Sequence, residues 1–277
     1  MAVARVVLVS DTHLSASAPQ ALTNWDAVLG YIGACAPDLV IHLGDLSQDG
    51  AGSAADLRYG RAQLDRLPAP WRAVPGNHDI GDNPRPGAPA GSTVDAARRQ
   101  RWLGAVGADY WRAEVSGWVV LGVNAQLLDS GLEAETTQWA WLEEQVSGSR
   151  HEPVALVTHK PVTAPGPELA AAPSYRFWPP SARLRLARLF GSTPPALVIS
   201  GHVHQYRLLR LDGTDHLWAP TTWAVLPDHV QPVFGVKRCG VVSLSLADGA
   251  LQEQRLIEPA GLEQFTLTVD LPDPYHG

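Results

Sequence analysis

The sequence predicts an α/β sandwich, with mixed sheets covered on the outside by helices, and three observations predict it. Five short apolar runs are near-continuous rather than alternating, as strands buried on both faces are. Segments with apolar residues at helical spacing lie between them. The C-terminal third changes to strand-like runs joined by Asp-Gly turns.

The first run, VARVVLVS (3–10), precedes QALTNWDAVLGYIGA (20–34), where Leu22, Trp25, Val28, Leu29 and Ile32 share a helix face. DLVIHLG (38–44) reads as the second strand, and 54–67, with Leu57, Leu64 and Leu67, as the second helix. WRAVPG (71–76) is the third strand, and DYWRAEVSGWVVLGVNAQ (109–126) is a hairpin turning at Ser116–Gly117. Helices follow at 134–146 and 181–190, strands at 153–159 (PVALVTH) and 196–201 (ALVISG). Later strands fall around 206–211, 215–219, 239–247 and 251–257, with turns at 212–213 and 248–249. No repeat or linker divides the chain, so one domain over 1–277 is expected, the strands of 206–257 completing the second sheet. Loops 81–92 and 161–180 are long and rich in Pro and Gly, which marks them as lids or as disordered segments.

The 277 residues, 45% of them hydrophobic, suffice for one large core or two small ones. No run of eighteen apolar residues is present, and the N-terminus lacks the h-region and cleavage site of a secretion signal. With only Cys35 and Cys239, a disulfide framework is not expected either. These features predict a cytoplasmic protein without a membrane span, either a monomer or a homodimer. A net charge of −7 without a Lys/Arg run disfavours a nucleic-acid polymer as partner, though a single nucleotide remains admissible.

The ends of the five apolar runs carry the chemistry. The first ends in Asp11-Thr12-His13, the second in Gly44-Asp45, and the third in Gly76-Asn77-His78-Asp79. The fourth ends in His159-Lys160 and the fifth in Gly201-His202-Val203-His204. In open α/β sheets, ligands bind beyond the carboxyl ends of strands. Carboxylate, amide and imidazole donors suit Zn²⁺, Mn²⁺ and Fe. Asp11, His13, Asp45, Asn77, His159, His202 and His204 make seven donors, too many for one ion and enough for two sharing a carboxylate. Two divalent ions, two carboxylates and a bridging hydroxide would leave about one positive charge, suited to an anionic phosphate ester. The glycines before Asp45, Asn77 and His202 allow close backbone approach.

In that order, D-x-H, GD, GNHD, a lone His after a strand, and GHxH resemble the calcineurin-like metallophosphoesterase superfamily over residues 6–206. The resemblance implies a four-layered α/β/β/α sandwich and two-metal hydrolysis of phosphate mono- or diesters. By motif, Asp11, His13 and His204 would hold one metal and Asn77, His159 and His202 the other, with Asp45 bridging. His78 would contact the substrate phosphate or protonate the leaving group, and Asp79 would orient His78 or a neighbouring ligand. The bland alternative for His78 is a structural hydrogen bond to Asp45, and for His159 a solvated imidazole beside Lys160.

The remaining residues read as follows. His42, inside a strand, is expected to be a satisfied core histidine, and His151, His216, His229 and His276 surface residues. Asn124 either lines the site or caps a loop. Arg85, Tyr175, Arg176 and Trp178 are candidate substrate contacts, aromatic faces and a guanidinium suiting a nucleotide. Alternatively, those aromatics anchor their loops. The substrate is expected to be a small anionic phosphoester. A phosphodiesterase is favoured, cyclic nucleotides being one candidate; a phosphomonoesterase, protein phosphatase or metal-silent scaffold are the alternatives.

Overall fold

A computed structural model describes residues 3–163, 175–247 and 249–271. Residues 164–174 of the second long loop, His276 and the Asp248 half of the last Asp-Gly turn lie outside the described residues. Two large mixed sheets face each other. The first contains β1 (Ala4–Val9), β2 (Leu39–His42), β3 (Trp71–Ala73), β11 (Val241–Ala247) and β12 (Ala250–Ile257), in the order β12-β11-β1-β2-β3. The second contains β4 (Trp111–Val115), β5 (Trp118–Val123), β6 (Val154–Thr158), β7 (Leu197–Ser200), β8 (Arg207–Leu211) and β9 (Thr214–Trp218). Its order is β4-β5-β6-β7-β9-β8. A small parallel pair joins β10 (Ala224–Val225) to β13 (Phe265–Thr266).

The period of two along each strand sorts side chains between layers. On β1, Val6 and Leu8 enter the core between the sheets, together with Ile41, Val120, Val157, Ile199 and Leu244. Val7 and Val9 point the other way, onto Trp25, Val28 and Ile32 of α1 (Pro19–Cys35), Leu57 and Leu64 of α2 (Ala54–Leu64), and Trp102. On the outer face of the second sheet, Leu121 and Leu156 meet Trp139 and Leu142 of α5 (Glu133–Gly148) and Leu186 of α6 (Pro180–Phe190). This is the α/β/β/α sandwich. The short α3 (Asn77–Ile80) lies at the end of the third apolar run. Among the described residues, no helix is long and apolar enough to cross a membrane, and both cysteines are free.

Ser116 and Gly117 turn the hairpin with positive φ at both positions, as a type I′ turn requires, and Asp212-Gly213 does the same between β8 and β9. Two expectations are corrected and one helix is added. Only β8 and β9 extend the second sheet; β11 pairs antiparallel with β1, so β11 and β12 belong to the first. The pairing covers the edge of β1 that β2 leaves open. A helix at 96–105 was not anticipated: α4 (Ala96–Ala105) starts from Asp95, whose side chain accepts from the Arg98 N–H, but buries only Trp102. His216 is buried, because β9 lies between β7 and β8.

Candidate metal centre

Parallel pairing of β1 with β2, of β2 with β3, and of β6 with β7 brings the five predicted strand ends to one edge of the sandwich. The loops beyond them are stitched together by backbone. The Asp11 N–H donates to the Gly44 carbonyl (3.1 Å), the His13 N–H to Asp45 (3.0 Å), and the Gly201 N–H to His159 (2.8 Å). Gly76 is required by contact: a Cβ there would collide with the Asp45 backbone nitrogen and carboxylate. At Gly44, φ is +96° and a Cβ would lie 2.6 Å from His159 Nδ1.

Three groups of donors form. Asp11, His13 and His204 make one, Asp45, His159 and His202 a second, and His13, Asp45 and His78 a third; within each, the ligand atoms lie within 4.8 Å of one another. Asp45 belongs to two of them. Its Oδ2 is 3.3 Å from His159 Nε2 and 3.9 Å from His13 Nε2, while Oδ1 accepts the His78 backbone N–H at 2.8 Å. Asn77 completes the second group, its Oδ1 lying 3.2 Å from His159 Nε2.

The donors fit metal ions by the way their nitrogens are oriented. His159 turns Nδ1 to the Leu43 carbonyl (2.8 Å), His204 turns Nδ1 to Ala224 (2.7 Å), and His202 turns Nε2 to Tyr175 (3.2 Å). Carbonyl partners take up the outer nitrogen of these three rings and aim the other one inward. The inward nitrogens face each other: His202 Nδ1 is 3.1 Å from His159 Nε2, and His13 Nε2 is 3.4 Å from His204 Nε2. A metal ion among these nitrogens would take the place of the protons that they otherwise share. Asp11 Oδ1 is fully buried, with His204 Nε2 3.4 Å away and no well-formed hydrogen bond, which suits a cation ligand.

The electrostatics agree. Burial opposes ionisation of Asp45, but His159 and His78 outweigh it and hold the carboxyl well below the usual range. Burial likewise opposes protonation of His159, yet the nearby Asp45 carboxylate lifts its pKa to about 9. His13 and His202 are held well below the ordinary imidazole value, by burial first and then by the neighbouring His78 and His159 respectively. Five residues of the cluster, Asp11, His13, Asp45, His202 and His204, adopt left-handed φ between 45° and 68°. Such conformations cost roughly 1–3 kcal/mol each and concentrate at functional sites.

The other expected site residues divide. His78 lines the mouth of the cluster, its ring 4.7 Å from that of His13 and its Nδ1 2.9 Å from the Gln48 carbonyl, while its backbone N–H donates to Asp45. Asp79 faces away, its carboxylate accepting from the N–H groups of Leu46, Ser47 and Gly76 and from Ser47 Oγ. It braces the Asp45 turn and does not orient the His78 ring. His42 is a satisfied core residue, on Thr12 Oγ1 (3.0 Å) and the Gly44 N–H (3.2 Å). Asn124 is a cap: it accepts from the Gln126 N–H and donates to Asp109. Trp178 is buried with its Nε1 on Thr158 and Phe177 packs on Trp218, so both anchor their loop instead of contacting substrate. Arg176 donates to the Val230 carbonyl.

Tyr175 and Arg85 do reach the site. Asn77 Nδ2 donates to the Tyr175 hydroxyl at 3.1 Å, and the Arg85 guanidinium lies 5.2 Å from the tyrosine ring centroid. Sequence reasoning missed Lys160, which is fully buried against Asp82 with its Nζ 5.1 Å from the same ring. The available signal was a lysine beside a strand-end histidine, which reads equally well as solvated. A cavity of about 660 Å³ opens here, lined by Asn77, His78, Gln48, Arg85, Tyr175 and Leu226 among others.

Comparison with known proteins agrees with this geometry. The family model described as calcineurin-like phosphoesterase matches residues 4–206. No curated protein matches the sequence significantly. Among solved structures, a dimetal phosphatase from Danio rerio superposes with TM-score 0.62 at 15% identity, over 92% of this chain and 99% of that one. A purple acid phosphatase from yellow lupin (Lupinus luteus) seeds gives 0.61 at 15% identity, over 95% of this chain and 54% of that one, so this chain spans about half its length. GAP50, the anchor in the inner membrane complex of Plasmodium, gives 0.62 at 12% identity, over 95% and 92%. Likeness at such identities concerns the fold alone.

Proposed function

The chain belongs to the calcineurin-like phosphoesterase family, and from that premise we propose that it is a two-metal phosphodiesterase acting on a small, anionic phosphoester. Asp11, His13 and His204 would hold one metal and Asn77, His159 and His202 the other, with Asp45 shared between them. Manganese, iron or zinc suits these donors. When bound, the pair supplies a nucleophile derived from water and a clamp for the phosphoryl oxygens. The protein's own residues do the rest. Leu43, Ala224 and Tyr175 carbonyls orient the imidazoles, Asp79 fixes the Asp45 turn, and His78 stands at the cavity mouth to meet the phosphate or protonate the leaving oxygen.

The observation that carries the reading is the convergence of three donor groups, all buried but for His78, on one edge of the sandwich, with Asp45 in two of them. The diester preference rests on the adjoining cavity of about 660 Å³, which has room for an organic group beyond the phosphate. The acidic balance of the chain favours a small molecule over a nucleic-acid polymer. The runner-up is a phosphomonoesterase. A metal-silent scaffold is disfavoured by retention of every donor and of His78.

The test is a substrate screen on protein loaded separately with Mn²⁺, Zn²⁺ and Fe²⁺. It compares bis-p-nitrophenyl phosphate, p-nitrophenyl phosphate and 2′,3′- and 3′,5′-cyclic nucleotides. Diester turnover exceeding monoester turnover is expected. The reverse order assigns a phosphomonoesterase, and no turnover with any metal overturns the enzyme reading.

A further inference from the structure

Tyr175 was a candidate for stacking on a base, but its ring is already engaged. Arg85 Cζ and Lys160 Nζ lie 5.2 and 5.1 Å from its centroid, and the His202 ring meets it edge-on at 4.9 Å. Its backbone carbonyl receives His202 Nε2 at 3.2 Å. These contacts fix the phenol and bring its hydroxyl to Asn77, the amide whose other end faces His159.

The direction of that hydrogen bond matters. An amide Nδ2 can only donate, so Asn77 occupies a lone pair on the phenol oxygen. The phenol's own proton is therefore available to an acceptor, and the hydroxyl lies in the wall shared by Asn77 and His78. Lys160 and Arg85 both face the ring and share Asp82 as their counter-ion, so two cationic groups stand beside the phenol. An anionic acceptor suits that charge.

Resting on the two-metal phosphoesterase reading, we propose that the Tyr175 hydroxyl is a substrate-binding donor to a non-bridging phosphoryl oxygen of the ester held at the metal cluster. The ring is the hydroxyl's mount, and Asn77 couples its position to the second group of donors. A hydrogen bond to a charged acceptor of this kind corresponds to about 10- to 100-fold in kcat/KM.

The test is Tyr175→Phe, which removes the oxygen and keeps the ring. Metal content by elemental analysis, turnover of bis-p-nitrophenyl phosphate, and orthophosphate binding by calorimetry are measured on the metal-loaded full chain. The proposal expects two metal equivalents and an unchanged Tm, with kcat/KM reduced about 10- to 100-fold and orthophosphate bound several-fold more weakly. Orthophosphate affinity and kcat/KM equal to those of the unsubstituted protein would reduce Tyr175 to packing and overturn it. Loss of metal would overturn it too, since the hydroxyl would then act only through Asn77. If the unsubstituted, metal-loaded protein neither binds orthophosphate nor cleaves any ester, the phosphoesterase reading fails first and this proposal with it.

Discussion

The two halves of the metal centre are built differently. Asp11, His13 and His204 are all buried, supply a carboxylate, and are pinned by backbone at Gly44, Asp45 and Ala224. Asn77, His159 and His202 replace that carboxylate with a half-buried amide, and the cavity and Tyr175 adjoin them. One half is closed and charged; the other is open and less charged. Carboxylate plus burial favours tight retention, whereas an amide ligand at a cavity favours exchange and substrate access. On the proposed assignment, two metals that share Asp45 would not be equivalent.

The harshest way to break the comparison is to remove what the halves share. Asp45→Ala should weaken both metals by more than the roughly 10–100-fold typical of losing an outer partner, and should abolish turnover. Elemental analysis after desalting checks it; a variant that keeps one equivalent tightly would show that Asp45 serves only one half. Next comes His78→Ala, expected to retain its metals while losing about 10²–10⁴ in turnover. The loss should shrink with good leaving groups, and equal losses for nitrophenyl and alkyl esters would leave His78 a phosphate-binding role.

The asymmetry itself is read by paired substitutions. His202→Ala should lose the open-half metal and His204→Ala the closed-half metal, so chelator titration of the two variants should differ, His202→Ala keeping the more tightly held ion. Identical release curves would make the halves equivalent. A milder effect is expected for Asp79→Ala, which leaves the donors of Leu46, Ser47 and Gly76 without an acceptor. A loss of about 3 kcal/mol in stability is anticipated, measured by denaturant unfolding, with both metals weakened because the Asp45 turn loosens.

The smallest effect lies outside both halves. Burial lowers the pKa of His216 to about 4, whereas the unfolded chain takes up that proton near pH 6.5. Between those values the unfolded state binds more protons, so stability falls as pH falls. His42, also lowered to about 4 by burial, contributes with the same sign. His216→Leu should flatten the decline between pH 6.5 and 4 by no more than about 3 kcal/mol. An unchanged slope would mean that His216 does not titrate with unfolding.

Much of this was legible in the sequence, for a physical reason. Parallel strands buried on both faces announce themselves as apolar runs, and their ends collect the polar residues that meet ligands. Asp11, Asp45, Asn77, His159, His202 and His204 could therefore be placed together before any coordinates. What was not legible depended on distant partners. The runs at 241–257 fit an edge of either sheet, and only pairing with β1 decides between them. Lys160 is buried because Asp82, 78 residues away, meets it. Trp178 looked like a lid aromatic until Thr158 claimed its indole N–H. Helix α4 escaped because one buried tryptophan makes no apolar stripe, although Asp95 offered a cap.

The stitching of β1 to β11, and of Asp11 to His202, also sets a timetable for synthesis. The Asp11 carboxylate accepts the backbone N–H of a residue 191 positions later. At roughly 5–20 residues per second, a ribosome needs about ten to forty seconds to deliver that partner. During the interval the nascent chain has no complete set of donors, and the first strand lacks the neighbour that closes its edge. The proposed donor set is therefore complete only after residue 204 has been made, which makes metal loading a late event in the synthesis of this chain.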